Sequence, residues 1–236
     1  MGQMSALERV AAVVLAAGSG QRMGATLNKP YLTLGGKPLL YYSLQRLAEL
    51  SAVQELVLVI RPADQERCQD DILRPYSFRL PIEIALGGTL RQDSTLAGLA
   101  ALSEPPDLVL VHDGVRPFFS LQLAERLIEM ARRQRAALPA LSVQDTIRPV
   151  NDEGLVGPAL ERQRLVLSQT PQCYQYDLLS QALRQADAAG RSFSDEAGAV
   201  LALTGVAARL IPGEPRNFKI TTPADLELAE ALLDHS

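Results

Sequence analysis

The sequence predicts an α/β fold: one Rossmann-like domain over residues 1–236, with a mostly parallel, twisted sheet and helices on both faces. Short apolar runs alternate with helix-periodic segments along most of the 236 residues. The strand-like runs are apolar throughout, which is typical of parallel strands that are buried on both faces. A chain of this length can bury a large core without disulfides or structural metals.

The first half of the chain alternates regularly between strands and helices. Apolar runs predict strands at residues 10–16, 55–60, 82–86 and 107–112. Helical spacing of apolar side chains predicts helices at residues 38–50 and 121–135. A short polar helix is expected at residues 63–73 and a further helix at 92–102.

The second half begins with a different pattern. Residues 142–164 lose helical periodicity and contain a turn at Asn151-Asp152-Glu153-Gly154, which predicts a β-arm that leaves the main body. Helices are then expected at residues 176–189 and 195–203, and a strand at 206–211. The final helix has a readable start, with Thr222 as its cap, Pro223 at its first position and Asp225 three residues after the cap.

Composition excludes several classes of function. The net charge is −4 and there is no Trp, and no basic tract carries interleaved aromatic residues, so we expect no nucleic-acid partner. Cys68 and Cys173 lie too far apart for a metal motif and predict two incidental or buried thiols. The first residues lack the features of a signal peptide, and no apolar run approaches a membrane span. The expectation is a soluble, cytoplasmic protein with no membrane partner.

The most informative stretch is residues 13–29, where an apolar strand runs into Gly18-Ser19-Gly20, followed by Arg22 and Lys29. Glycines let backbone N–H groups approach an anion, and two nearby cations suit a polyphosphate. The stretch is not a dinucleotide fingerprint, because Met23 occupies the third glycine position. No P-loop pattern occurs anywhere in the chain.

Further polar motifs follow the third and fourth predicted strands, and three more lie later in the chain. Ligands in open α/β sheets bind beyond the carboxyl ends of the strands, so these motifs are expected to converge there. In chain order they are LAAGSGQRMG from Leu15, GG-x-x-R-x-x-S from Gly87, VHDGVRP from Val111, QTPQ from Gln169, SDEA from Ser194 and NFKIT from Asn217.

With these motifs in this order, the chain resembles the 2-C-methyl-D-erythritol 4-phosphate cytidylyltransferase family from about residue 13 to 232. The resemblance implies a nucleotidyltransferase domain with a projecting β-arm at about 142–164. It implies transfer of CMP from CTP to 2-C-methyl-D-erythritol 4-phosphate, a sugar-alcohol phosphate. The products would be 4-diphosphocytidyl-2-C-methyl-D-erythritol and pyrophosphate, in non-mevalonate isoprenoid precursor biosynthesis. It also implies a homodimer held through the arm, in which each arm reaches the neighbouring active site.

The resemblance also implies roles for individual residues. The catalytic cations would be Arg22, Lys29, Arg162 and Lys219. The nucleotide-binding positions would be Ala16, Ala17, Gly18, Gly88, Ser94 and Gly114. The acceptor-binding positions would be Arg116, Thr146, Arg162, Thr170, Ser194 and Lys219. Asp113 would be the metal-associated carboxylate, with Mg²⁺ as the divalent cofactor.

The chemistry of the residues agrees with this implication. A phosphate oxygen that attacks an α-phosphorus is already an anion, so the reaction needs charge neutralisation and positioning more than a strong base. His112 is therefore expected to be a packed residue at a strand end. Mg²⁺ commonly takes one or two carboxylates together with substrate phosphates, which suits Asp113.

Three positions depart from the family pattern. Asn28-Lys29-Pro30 stands where Pro-Lys-Gln is usual, Ser194 replaces threonine, and Thr89 replaces a polar or acidic residue. Two other functions stay open at this point. One is ribitol-5-phosphate cytidylyltransferase, whose motifs overlap heavily. The other is a non-catalytic, nucleotide-binding regulatory protein on the same fold.

Overall fold

A computed structural model describes residues 8–18 and 28–233 of the chain. The strands are β1 (Val10–Leu15), β2 (Thr33–Leu34), β3 (Lys37–Pro38), β4 (Val53–Ile60), β5 (Ile82–Leu86), β6 (Leu108–Asp113), β7 (Ala136–Ser142), β8 (Val166–Ser168), β9 (Gln172–Gln175) and β10 (Arg209–Pro212). The helices are α1 (Leu39–Glu49), α2 (Gln65–Cys68), α3 (Arg91–Ala100), α4 (Leu121–Gln134), α5 (Tyr176–Ala188), α6 (Glu196–Thr204) and α7 (Pro223–Leu233).

The main sheet has the strand order β10-β7-β9-β6-β1-β4-β5, and β8 also pairs with β7. Parallel pairing joins β6, β1, β4 and β5, and it also joins β10 to β7. β8 and β9 run antiparallel to their neighbours. The prediction of a mostly parallel sheet is therefore confirmed.

Apolar side chains of β1 face both sides of the sheet, as the continuous apolar run predicted. Val10, Ala12 and Val14 join a core with the inner faces of α1 and α4. Val13 joins a separate core with residues of α3, α5 and α6. Burial on both faces explains why this strand carries no polar alternation.

The last helix begins as its sequence predicted. The N–H of Asp225 donates to Thr222 Oγ1 at 3.2 Å, and the N–H of Thr222 donates back to the Asp225 carboxylate at 2.8 Å. This reciprocal pair satisfies N–H groups that the first helical turn cannot bond internally. The predicted helix at residues 63–73 is also present, as a 3-10 turn followed by α2 and a π-helical turn over Gln69–Leu73.

The segment predicted as an arm contains a hairpin turn. Val150 and Val156 form an antiparallel bridge, and the N–H of Gly154 donates to the carbonyl of Asn151 at 3.0 Å. Val150, Leu155 and Val156 are all more than 60% exposed. The hairpin therefore exposes apolar side chains to solvent.

Sequence patterns missed five strands, namely β2, β3, β7, β8 and β9. The strand expected at residues 206–211 is present but begins only at Arg209. β9 is only four residues long, so its sequence pattern is too short to be recognised as a strand. Its position between β6 and β7 depends on contacts with residues far away in the chain.

Candidate active site

The candidate site lies where β1, β4, β5 and β6 end. Leu15 at the end of β1 pairs with Asp113 at the end of β6 and with Val59 in β4. Beyond these ends, the N–H of Ala16 donates to the carbonyl of Val59 at 2.8 Å, and that of Gly114 donates to Leu15 at 3.0 Å. The register of the parallel strands thus brings motifs from distant parts of the sequence to one edge.

Asp113 is the centre of a charged cluster. Its Oδ1 accepts from Arg91 Nη1 at 2.5 Å, and its Oδ2 contacts Lys219 Nζ at 3.0 Å and Arg116 Nε at 3.3 Å. Burial by itself would raise the pKa of Asp113, but the three cations overcome that effect and hold it well below its usual range. The side chain is therefore a carboxylate at any working pH.

Arg91 is held from its other side by a second buried carboxylate. Glu196 at the start of α6 accepts from Arg91 Nη2 at 2.9 Å and from the Thr95 hydroxyl at 2.7 Å, and its side chain is 1% exposed. The cluster contains three positive charges, on Arg91, Arg116 and Lys219. It contains two negative charges, on Asp113 and Glu196. The cluster keeps an excess positive charge, which suits a phosphate ligand.

A chain of hydrogen bonds fixes the neighbours of Asp113. The backbone N–H of Asp113 donates to Thr170 Oγ1 at 2.9 Å, and that oxygen lies 3.1 Å from His112 Nδ1. His112 Nε2 lies 3.1 Å from the carbonyl of Arg116, so Nε2 carries the proton and Nδ1 accepts from the threonine hydroxyl. Burial lowers the pKa of His112 to about 3. His112 is thus a neutral, packed residue, as its position at a strand end predicted.

The loop that carries Lys219 is also anchored from within. Asn217 is fully buried, and its Nδ2 donates to the carbonyl of Thr170 at 2.8 Å. Its own carbonyl accepts from Arg116 Nη1 at 2.9 Å and from Gln169 Nε2 at 3.1 Å. The QTPQ and NFKIT motifs therefore form one structure, which places Lys219 over Asp113.

The residues expected to bind the nucleotide lie close to one another. A methyl group added to Gly87 would sit 2.5 Å from Ala17 Cβ and 2.7 Å from Ser94 Oγ, so the backbone there packs closely between the two. One added to Gly114 would sit 2.9 Å from Leu40 Cδ1. Glycine is required at both positions because neighbouring side chains already occupy the space that a Cβ atom would need. The remaining expected nucleotide positions, Ala16, Gly18 and Gly88, follow β1 and β5 at the same edge.

The expected catalytic pair is described only in part. Arg22 falls within residues 19–27, outside the described residues. Lys29 begins a 3-10 turn, Lys29–Tyr31, and is half-buried. Pro30 sits in the first positions of that turn, where a proline is compatible with helical backbone.

The expected acceptor residues fall into two groups. Arg116, Thr170 and Lys219 converge on Asp113. Thr146 and Arg162 are exposed residues of the arm, where Arg162 Nη1 donates to the carbonyl of Gln144 at 2.7 Å. Ser194 is exposed and directly precedes Asp195, whose side chain caps α6 by accepting from the N–H of Gly198. Within residues 8–18 and 28–233, no ion pair or hydrogen bond joins the arm residues to the Asp113 cluster.

Sequence reasoning gave no role to Arg91, Glu196 or Asn217, although all three stand in the motifs that it selected. Arg91 and Glu196 are 105 positions apart in the chain. Each resembles an ordinary charge at the start of a helix until the fold brings the two together. The signal that could have found them was their place within GG-x-x-R and SDEA, directly beside residues that were chosen.

The site holds one carboxylate that fits a phosphate-bound metal ion. Asp113 is ionised and offers hard oxygen ligands, which Mg²⁺ prefers. In the part of the chain that the structure describes, no group of three or more His, Cys, Asp or Glu side chains converges as a metal site. Asp113 is therefore the residue that would hold such an ion, together with substrate phosphates and water.

Comparison with known proteins gives the family. A model of the 2-C-methyl-D-erythritol 4-phosphate cytidylyltransferase family matches residues 10–235. The chain belongs to this family. A relative from Alkaliphilus metalliredigens that bears the family name is 36% identical over 231 residues, which cover 98% of this chain and 95% of the relative. Another, from Geotalea uraniireducens, is 39% identical over 227 residues, which cover 95% of this chain and 97% of the relative.

Solved structures of the family share the fold. The 4-diphosphocytidyl-2C-methyl-D-erythritol synthase of Anaerococcus prevotii has a TM-score of 0.82 and 31% identity, with 96% of each chain covered. The 2-C-methyl-D-erythritol 4-phosphate cytidylyltransferase of Thermus thermophilus has a TM-score of 0.78 and 36% identity, over 96% of this chain and 99% of that one. These matches confirm the predicted fold class and the predicted kind of enzyme, a cytidylyltransferase.

Among the described residues, no helix is both long and apolar enough to cross a membrane.

Cys68 and Cys173 are buried and form no disulfide bond, as their spacing predicted.

Proposed function

We propose that this protein transfers CMP from CTP to 2-C-methyl-D-erythritol 4-phosphate, with release of pyrophosphate. The observation that carries the proposal is the cationic cluster around Asp113 at the carboxyl edge of the sheet. It combines a positive excess with the closely packed glycines Gly87 and Gly114 at the same edge of the sheet, in a chain of the cytidylyltransferase family. The product would be 4-diphosphocytidyl-2-C-methyl-D-erythritol, a precursor in isoprenoid biosynthesis.

The reaction requires an acceptor phosphate oxygen to approach the α-phosphorus of CTP opposite the pyrophosphate leaving group. The attacking group is an anion, so the protein must reduce repulsion between two highly charged substrates. Lys219 and Arg116 are suited to hold the acceptor's phosphate, because their cationic groups lie together on Asp113 Oδ2. Lys29 and Arg22 would stabilise the charge that builds up on the α-phosphate.

The triphosphate carries about four negative charges, more than two side chains neutralise, so we include Mg²⁺ as a cofactor. When bound, the ion would neutralise charge on the phosphates and favour departure of pyrophosphate. Asp113 would hold it through one oxygen. Arg91, which Glu196 holds in place, keeps the other oxygen of that carboxylate oriented.

We further propose a homodimer in which the arm covers the neighbouring active site. Val150, Leu155 and Val156 expose apolar side chains on a hairpin that is only marginally stable by itself in water. Thr146 and Arg162 lie on the same arm, and both are exposed and therefore accessible to a second subunit. A two-fold dimer is the commonest oligomer and would bury this surface. Because the reaction consumes CTP, we place the enzyme in the cytoplasm.

The test is the release of pyrophosphate from CTP by the purified protein. We expect release that depends on 2-C-methyl-D-erythritol 4-phosphate and not on D-ribitol 5-phosphate. Release with ribitol 5-phosphate alone would indicate the related cytidylyltransferase instead. If CTP binds, as measured by calorimetry, and neither acceptor gives product, the protein is a nucleotide-binding regulator.

A further inference from the structure

The turn that carries Lys29 starts at a buried polar anchor. Asn28 is 7% exposed and Asp64 is 5% exposed. Asn28 Nδ2 donates to Asp64 Oδ2 through a short hydrogen bond, although the two residues are 36 positions apart. This contact fixes the position of the residue directly before Lys29.

Asp64 is itself held by Arg61. Arg61 Nε donates to Asp64 Oδ2 at 2.7 Å, and its Nη2 donates to Oδ1 at 2.9 Å. Arg61 comes directly after Ile60, the last residue of β4, and the neighbouring Val59 accepts from the N–H of Ala16. The anchor therefore ties the Lys29 turn to the same edge of the sheet that carries the candidate site.

The residues after Lys29 are fixed as well. The N–H of Tyr31 donates to the carbonyl of Asn28 at 3.1 Å, and Pro30 restricts the backbone between them. Tyr31 is 5% exposed, and the Arg67 guanidinium lies 4.7 Å from its ring centre. The half-buried Lys29 thus sits between buried neighbours on both sides.

We propose that Asn28, Asp64 and Arg61 form a positioning unit that sets where the Lys29 ammonium meets the CTP phosphates. The proposal rests on the proposed function. An apolar contact could bury the same surface with a smaller desolvation penalty, whereas directional hydrogen bonds to a carboxylate fix one geometry. Catalysis needs such precision, because a displacement of about 1 Å at a reacting group costs on the order of a hundredfold in rate.

A double-mutant cycle tests the unit. Asp64→Asn keeps the size of the side chain, but it removes the negative charge and replaces one accepting oxygen with an NH₂ group, so at least one of the three hydrogen bonds from Arg61 and Asn28 is lost. We expect Asp64→Asn to lower kcat by about ten- to a hundredfold with little change in KM for CTP, and Lys29→Ala to lower it by about 10²–10³-fold. If Asp64 acts through Lys29, the double variant will be as slow as Lys29→Ala alone.

A matched control comes from the following helical segment. Asp71 accepts from Arg67 at 2.9 Å, and both side chains are about 40% exposed. Asp71→Asn should leave kcat unchanged. Thermal unfolding of every variant fixes an assay temperature at which all of them are folded. If Asp64→Asn does not fold, Asn28→Ala removes the same contact from the other side and takes its place in the cycle.

The outcomes separate this proposal from the proposed function. Two results would overturn the positioning role without affecting the proposed reaction. One is a wild-type kcat in Asp64→Asn, and the other is an equal fold-decrease of kcat by Asp64→Asn in the wild type and in Lys29→Ala. Wild-type turnover in Lys29→Ala would overturn the role of Lys29 and the positioning unit together. An activity-independent readout is protection of Lys29 by CTP against an amine-acetylating reagent, followed by mass spectrometry. Protection should be strong in the wild type and Asp71→Asn and weak in Asp64→Asn, and equal protection in all three contradicts the proposal.

Discussion

His112 should make the stability of this protein depend on pH in a range where few other groups titrate. Burial lowers the pKa of His112 from its ordinary value of 6.5 to about 3. Below pH 6.5, His112 is therefore protonated in the unfolded chain but stays neutral in the folded chain. The sign follows directly: the contribution of His112 to stability is present above pH 6.5 and is lost as the pH falls toward 3.

The size of the effect follows from the two pKa values. Each unit of difference between the folded and unfolded pKa values of His112 corresponds to about 1.4 kcal/mol of stability. In the unfolded chain, protonation of His112 is only beginning at pH 7. Between pH 7 and pH 5 the free energy of unfolding should fall by about 2 kcal/mol. This figure is insensitive to the native-state pKa, because His112 stays neutral at pH 5 for any value below about 4. The pKa of Asp113 is held well below its usual range, and the ordinary carboxyl pKa values of about 4 also lie below this interval.

Urea unfolding at half-unit steps from pH 7 to pH 5 measures the effect. His112→Asn, which keeps a polar group near Thr170, should be less stable but should lose most of the slope with pH. The chain has one other histidine, His235, which lies outside the described residues, and His235→Asn measures separately what that residue adds to the slope. A flat wild-type profile, or a slope that survives in His112→Asn, would refute the assignment of a neutral, buried imidazole.

Three further predictions concern the site and the arm. Activity should require Mg²⁺, and Asp113→Asn should raise the Mg²⁺ concentration needed or abolish turnover; full turnover in excess chelator would contradict this. Glu196→Ala should lower the free energy of unfolding by about 3 kcal/mol in urea, because Arg91 loses a buried partner, and a loss below about 0.5 kcal/mol would show that the pair is not needed. Mixing inactive Lys29→Ala and Arg162→Ala subunits should restore part of the activity, since one site in each heterodimer carries neither defect. If mass spectrometry shows subunit exchange and no activity returns, the arm does not complete a neighbouring site.

Local sequence was sufficient wherever one element determines its own structure. The apolar run of β1 predicted a strand buried on both faces, and its alternating side chains join the cores on the two sides of the sheet. The start of α7 was readable because the Thr222 and Asp225 side chains bond backbone within four residues of themselves. The order of the motifs indicated the family without any tertiary contact, because the motifs can be read directly along the chain.

Contacts between distant residues were decided only by the tertiary structure. The antiparallel strand β9 lies between β6 and β7, and this places Thr170 against Asp113. The four residues of β9 contain no pattern that predicts this position. Asn28 meets Asp64, and Arg91 meets Glu196, across 36 and 105 positions of the chain. Burial and pairing change the chemistry of such groups, whereas each one alone in a sequence resembles a solvated surface residue. Strand register and helix packing supply that pairing, and they exist only once the whole sheet has formed.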